Sequence, residues 1–127
     1  MKIEHIAVWT NNLERLKDFY IKYFNGKSNN KYINTKKEFE SYFIEFESGS
    51  RIEIMKKPLI KTLDSDAEYN GYTHLAFSTG SKNKVEELTK RLKRDGYRIK
   101  NEPRTTGDGY YESAIFDPDG NIIELTV

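Results

Sequence analysis

No cysteine occurs anywhere in the 127 residues, which excludes disulfides, thiolate metal sites and a cysteine nucleophile and fits a reducing cytosol. Charge of one sign is lacking too. Lys plus Arg number 21 against 20 for Asp plus Glu, so the net charge of +1 provides no field to draw nucleic acid or an anionic membrane, and the expected partners are small molecules. No apolar run approaches the ~20 residues of a membrane span. The opening "MKIEHIAVW" breaks its apolar stretch with Glu4 and His5, so it does not read as a signal peptide, and the expectation is a soluble, cytoplasmic protein. No G-x-x-x-x-G-K-[ST] phosphate loop is present. Histidine is scarce, with two in all, His5 and His74.

Aromatic residues at 13% and hydrophobic residues at 36% supply enough apolar surface for one domain, 1–127, that folds without staples. The basic stretch "KNKVEELTKRLKRDGYRIK" places Lys84, Lys90, Arg91 and Lys93 between apolar positions at helical spacing. That pattern marks a solvated helix face, and no nucleic-acid recognition motif accompanies it.

The chain says much of this twice. "HIAVWT" at 5–10 recurs as "HLAFST" at 74–79, an offset of 69 that also lays Leu16, Phe19 and Tyr23 over Val85, Leu88 and Leu92. Each trio follows one stripe of a helix. Asn11 with Glu14, and Ser81, are the expected N-terminal caps, and Gly26 after Asn25 and Gly96 after Asp95 the expected stops. Later, "FESGSRIEIM" corresponds to "FDPDGNIIELT", sharing G-x-x-I-E-[IL] and laying Glu53 over Glu124. "KYINT", "FESYFIEFE", "YRIKNEP" and "YYESAIF" alternate as strands do. The expected fold is therefore α+β, two βαβββ halves at about 1–57 and 71–127 forming curved mixed sheets with helices outside. A linker at about 58–70 joins them, in which Leu59 and Leu63 offer a short helical turn.

Glu124 sits in "GNIIELTV" on the strand face of Ile122 and Thr126, where a carboxylate is either solvated or bound. Its repetition as Glu53, each paired with a histidine opening its half, points to binding. A pseudo-two-fold between the halves would gather two imidazoles and two carboxylates around one point. Two carboxylates offset the charge of a divalent cation, imidazole selects transition metals, and four protein ligands leave two octahedral positions open. Zn²⁺ or Ni²⁺ fit foremost, with Co²⁺, Mn²⁺ or Fe²⁺ also compatible, while structural zinc generally uses the cysteine that is absent here.

The paired "HIAVWTNNLERLKDFYIKYF" and "GYTHLAFST", with "SRIEIM" and "DPDGNIIEL", resemble the vicinal oxygen chelate superfamily, specifically its glyoxalase I branch, over the whole chain. The resemblance implies tandem βαβββ repeats whose curved mixed sheets lie around a metal-binding cavity, with metal ligands His5, Glu53, His74 and Glu124. It implies isomerisation of the hemithioacetal of a 2-oxoaldehyde such as methylglyoxal and a low-molecular-weight thiol to an S-2-hydroxyacyl thiol, with Glu124 as base and Glu53 as its partner. A homodimer is implied as well. Epimerases of the superfamily would carry Gln at Glu53, and its dioxygenases and fosfomycin thiol transferases use a triad without that fourth acid. The alternatives are a non-catalytic module of the same fold that binds a small molecule or antibiotic, or another enzyme of the superfamily, an epimerase or a thiol transferase.

Two residues depart from the glutathione-using pattern. Trp9 stands where bacterial glyoxalase I carries Arg, and Lys57 stands where Asn is expected, and both family residues hold the thiol. Trp9 shares the face of His5, as a pocket wall or as core. Arg15, Arg51 and Arg104 are candidate clamps for a substrate carboxylate or else surface charges. In "RTTGDGYYES", Tyr110 or Tyr111 either closes over a ligand from a mobile loop or decorates a hairpin.

Overall fold

A computed structural model describes residues 1–62, 67, 68 and 70–127. The chain forms two compact units, Met1–Thr62 and Leu63–Val127. Among the described residues no helix is long and apolar enough to cross a membrane.

In the first unit β1 (His5–Trp9) leads into α1 (Leu13–Phe24). There follow β2 (Lys27–Ser28), β3 (Tyr32–Asn34), a single 3₁₀ turn (Thr35–Lys37), β4 (Phe39–Glu45) and β5 (Arg51–Lys56). The sheet runs β1, β5, β4, β2, and β3 also pairs with β4. β1 lies parallel to β5, and the remaining pairs are antiparallel, so the sheet is mixed. Alternation along β5 sends Ile52 and Ile54 to one face, where with Tyr42 and Ile44 of β4 they are buried under Leu13, Leu16, Phe19, Tyr20 and Tyr23 of α1. Arg51, Glu53 and Met55 therefore take the opposite face.

The second unit repeats the topology with β6 (His74–Ser78), α2 (Lys82–Arg94), β7 (Ile99–Thr105), β8 (Tyr111–Phe116) and β9 (Ile122–Thr126), in the order β6, β9, β8, β7. Each unit is the expected βαβββ motif, with the two-residue β2 as an addition in the first. Ile123, Leu125, Ile115 and Ser113 are buried on the α2 side with Val85, Thr89 and Leu92. Leu88 is only half-buried; Thr89 takes the central place because its hydroxyl bonds both the Val85 carbonyl, at 2.6 Å, and Ser113 Oγ, at 2.7 Å.

The helix ends correct two expectations. The cap of α1 is Asn12, not Asn11: its side chain accepts from the Arg15 amide at 3.1 Å, while Thr10 Oγ1 accepts from the Asn12 amide at 3.0 Å. At the other end Asn25 itself takes the left-handed conformation, φ 54°, and Gly26 donates to the Tyr20 carbonyl at 3.2 Å. Gly26 is required for space instead. A Cβ there would collide with Ile44 Cγ2. Ser81 caps α2 as expected, accepting from Lys84, and Gly96, φ 91°, makes the left-handed turn after it. In the linker Leu59 adopts a left-handed backbone, φ 63°, which does not continue a helical turn, and Leu63 lies outside the described residues.

Candidate metal and substrate site

In the first unit the parallel pairing of β1 with β5 sets Ala7 against Glu53 and His5 against Arg51, so these side chains and Trp9 share the face away from α1. His5 Nε2 stands 4.0 Å from Glu53 Oε2. In the second unit Ala76 pairs with Glu124, and His74 Nε2 stands 3.5 Å from Glu124 Oε2. Two donors on one ion at about 2.1 Å lie roughly 3.0 to 3.4 Å apart for octahedral cis or tetrahedral angles, so both pairs sit near ligand spacing, the first a little wide. Their chemistry, neutral imidazole with carboxylate, fits a transition-metal cation. The structure thus forms two His–Glu pairs, one per unit. Among the described residues no cluster of three or more such side chains is arranged for a metal.

The "DPDGN" turn explains how Glu124 is aimed. Asp117 is buried, and its carboxylate accepts from the Asp119 amide, the Asn121 amide and Asn121 Nδ2, each at 2.9 Å, while Gly120 takes φ 86°. Burial pushes the Asp117 carboxyl above its usual range, against the pull of the Asn121 hydrogen bonds. The turn starts β9 in register with β8, with Ala114 opposite Glu124.

Glu124 also has a neighbour that the sequence reading missed. Burial raises its pKa most, the Glu112 carboxylate adds to that by charge and hydrogen bonding, and His74 opposes. Alternation along "YYESAIF" places Glu112 on the same face as Ala114 and hence Glu124, so the signal was there in the strand period. Arg104 Nη2 lies 3.6 Å from Glu112 Oε1.

The other candidates fall into place unequally. Arg51 is on the site face, but it is ion-paired to Glu4 and its guanidinium sits 4.3 Å above the Phe43 ring, so it is occupied within the protein. Arg15 is exposed on α1, on the far side of the sheet from Glu53, and is not brought to the His5–Glu53 pair. Trp9 is 40% exposed, which rules out a core role; Phe39 meets it edge-on at 6.2 Å and Lys57 Nζ lies 4.6 Å over its ring. The two departures from the glutathione pattern are therefore one contact. A cleft of about 370 Å³ opens beside them, lined by Phe39, Glu40, Lys56 and Lys57 among others, though neither His5 nor Glu53 lines it.

The stretch "RTTGDGYYES" forms the hairpin that joins β7 to β8. The Thr106 amide donates to the Tyr110 carbonyl at 2.8 Å, Thr106 Oγ1 accepts from the Tyr110 amide at 3.0 Å, and Gly109 takes φ 92°. Tyr110 is exposed there. Tyr111 is tied to α2, its hydroxyl donating to Glu86 Oε1 at 2.8 Å with Lys82 Nζ 4.9 Å from the ring centre.

Against this geometry, residues 2–125 match the family model of the Glyoxalase/Bleomycin resistance protein/Dioxygenase superfamily. The chain belongs to that superfamily. Glyoxalase I from Zea mays superposes on it with TM-score 0.81 at 22% identity, over 98% of this chain and 44% of the maize chain. The glyoxalase family protein from Enterococcus faecalis superposes with TM-score 0.82 at 23% identity, over 99% and 97% of the two chains. These likenesses establish a shared fold. Bacillus subtilis YqjT, an uncharacterised protein, is 40% identical over 58 residues, 43% of this chain and 45% of its own length. The superfamily chain thus spans less than half of the maize enzyme and matches less than half of YqjT.

Proposed function

We propose that this superfamily member is a metal-dependent lyase of the glyoxalase I kind. It isomerises the hemithioacetal of a 2-oxoaldehyde, such as methylglyoxal, and a low-molecular-weight thiol to an S-2-hydroxyacyl thiol. The observation that supports the reading is the repeated His–Glu pair, 4.0 Å apart in one unit and 3.5 Å in the other, on the sheet face turned away from each helix. In this reading His5, Glu53, His74 and Glu124 together hold one divalent cation, Zn²⁺ or Ni²⁺ foremost, in a cytosolic protein that acts as a homodimer. When bound, the cation supplies Lewis-acid stabilisation of the negative charge that develops on two adjacent substrate oxygens.

The rest falls to the side chains. Glu124 takes the proton from the carbon bearing sulfur, and that same proton is returned by way of Glu53 to the neighbouring carbon, so both carboxylates end as they began and the substrate is isomerised with no change in composition. Burial, with the Glu112 carboxylate adding to it, raises the Glu124 pKa, the direction that strengthens a carboxylate as a base. Trp9, with Lys57 over its ring, presents an aromatic and cationic wall beside His5 in place of the residues that hold glutathione in bacterial glyoxalase I.

The test is a panel of divalent metals against several low-molecular-weight thiols, with methylglyoxal, following thioester formation. Turnover with at least one metal and thiol, abolished by chelation, is expected. No turnover with any combination, together with tight binding of an apolar ligand, would establish the non-catalytic module instead.

A further inference from the structure

His5 is held from behind. Its Nδ1 is hydrogen-bonded to Glu4 Oε2, and Glu4 Oε1 is ion-paired to Arg51. Arg51 in turn stacks 4.3 Å over the Phe43 ring, and that ring meets the His5 imidazole edge-on at 5.4 Å. The Arg51 amide also donates to the Glu4 carbonyl at 3.3 Å, so the backbone ladder that joins β1 to β5 extends to the residue carrying the carboxylate. A carboxylate can only accept, so the proton shared with Glu4 belongs to Nδ1, and the neutral imidazole then carries its lone pair on Nε2, the nitrogen on the side of Glu53. Among the described residues nothing comparable stands behind His74. The repeat puts Thr73 where Glu4 stands and Ile122 where Arg51 stands, and among the described residues His74 Nδ1 has no hydrogen bond.

We propose that Glu4, anchored by Arg51, is a positioning residue that fixes the tautomer and ring orientation of His5 so that Nε2 is presented as a metal ligand, making the first half-site the preorganised one. This rests on the reading of His5 as a ligand. A histidine ligand whose other nitrogen is hydrogen-bonded to a carboxylate loses less freedom on binding and is the stronger donor, and loss of such a partner commonly weakens metal binding 10- to 100-fold.

The experiment combines two readouts on the full chain. The first is long-range ¹⁵N NMR of the metal-free protein, above the pH at which its imidazoles are protonated. The second is Zn²⁺ affinity by competition with a chromophoric chelator. Wild type is expected to show His5 with its proton on Nδ1. Glu4→Ala is expected to lose that signature without altering His74, and to bind Zn²⁺ about 10- to 100-fold more weakly. Glu4→Gln, which keeps an acceptor, restores part of both. Glu4 is exposed, so folding is preserved, and an unchanged His74 signal verifies it. An unchanged His5 tautomer in Glu4→Ala overturns the proposal whatever the affinities. A changed tautomer with unchanged affinity overturns it too, provided His5→Ala binds weakly. If His5→Ala binds Zn²⁺ as wild type does, the ligand reading itself fails and takes the proposal with it.

Discussion

Glu124 and Glu53 are the same residue in two copies of one motif, yet their surroundings differ. Burial and the Glu112 carboxylate raise the pKa of Glu124, and Glu53 faces Phe43 across its own sheet where Glu124 faces Ala114. In the proposed reaction unequal roles are expected of them. Glu124→Gln is expected to keep most of the metal while losing at least ~10²-fold in turnover, the lower range of general-base contributions, and Glu53→Gln to lose less. Steady-state kinetics on metal-analysed variants check this, and equal losses would contradict the assignment of base to Glu124. The histidines and glutamates were readable in the sequence because the repeat states each twice. Glu4 and Arg51 were not readable as partners, since 47 residues separate them and only the β1–β5 pairing brings them together. Asn11 and Asn12 are equivalent as cap candidates in composition, and the hydrogen bond to Arg15 decides between them.

Each helix is fastened to its sheet by a polar device as well as by its apolar stripe. In the first unit Glu14 of α1 accepts from Lys17 at 2.5 Å, Lys31 at 2.7 Å and the Tyr42 hydroxyl of β4 at 3.0 Å. These contacts, the Lys17 hydrogen bond first, hold the Glu14 carboxyl at about 2 against an ordinary 4.5. The folded state thus favours the ionised form, so the stabilisation is fully present above pH ~4.5 and is lost as pH falls toward 2. Because Glu14 is half-exposed and screened, the expected effect is modest, about 0.5 to 1 kcal/mol. Urea unfolding of wild type and Glu14→Gln is expected to differ by that much at pH 7 and to converge as pH falls toward 2. A difference unchanged by acid would mean that charge plays no part.

Gly26 is the firmest steric constraint among these elements. Gly26→Ala drives a methyl into Ile44, which is fully buried and backed by the α1 core, at a cost of about 1 to 3 kcal/mol measurable by the same method. The apolar stripes of both helices were readable from their period, except at Leu88 and Thr89, where a bond to Ser113 on β8 outweighs polarity. The two-residue β2 leaves no periodic signal because its pairing depends on β4, with Lys27 opposite Glu45.

At the scale of the molecule, two units of one topology carry one His–Glu pair each, and a pair alone offers a transition metal only two donors. The proposed function therefore requires both pairs to serve the same cation. The βαβββ repeat was readable because the landmarks H-[IL]-A and G-x-x-I-E-[IL] recur in order, whereas the union of the pairs is a statement about assembly that no strand period encodes. Assembly is also where the sheet edges matter. β1 and β6 each stand at the end of their sheet's strand order, and a homodimer is the expected means of covering sheet edges. Sedimentation at several concentrations is expected to give twice the chain mass, and a concentration-independent monomer would contradict it. The central claim is tested most directly by metal content after equilibrium dialysis against Zn²⁺ or Ni²⁺, for wild type, His5→Ala and His74→Ala. The prediction is close to one ion per chain in wild type and loss of stoichiometric metal in each variant alone; full occupancy retained in both variants would show that the two pairs do not share a cation.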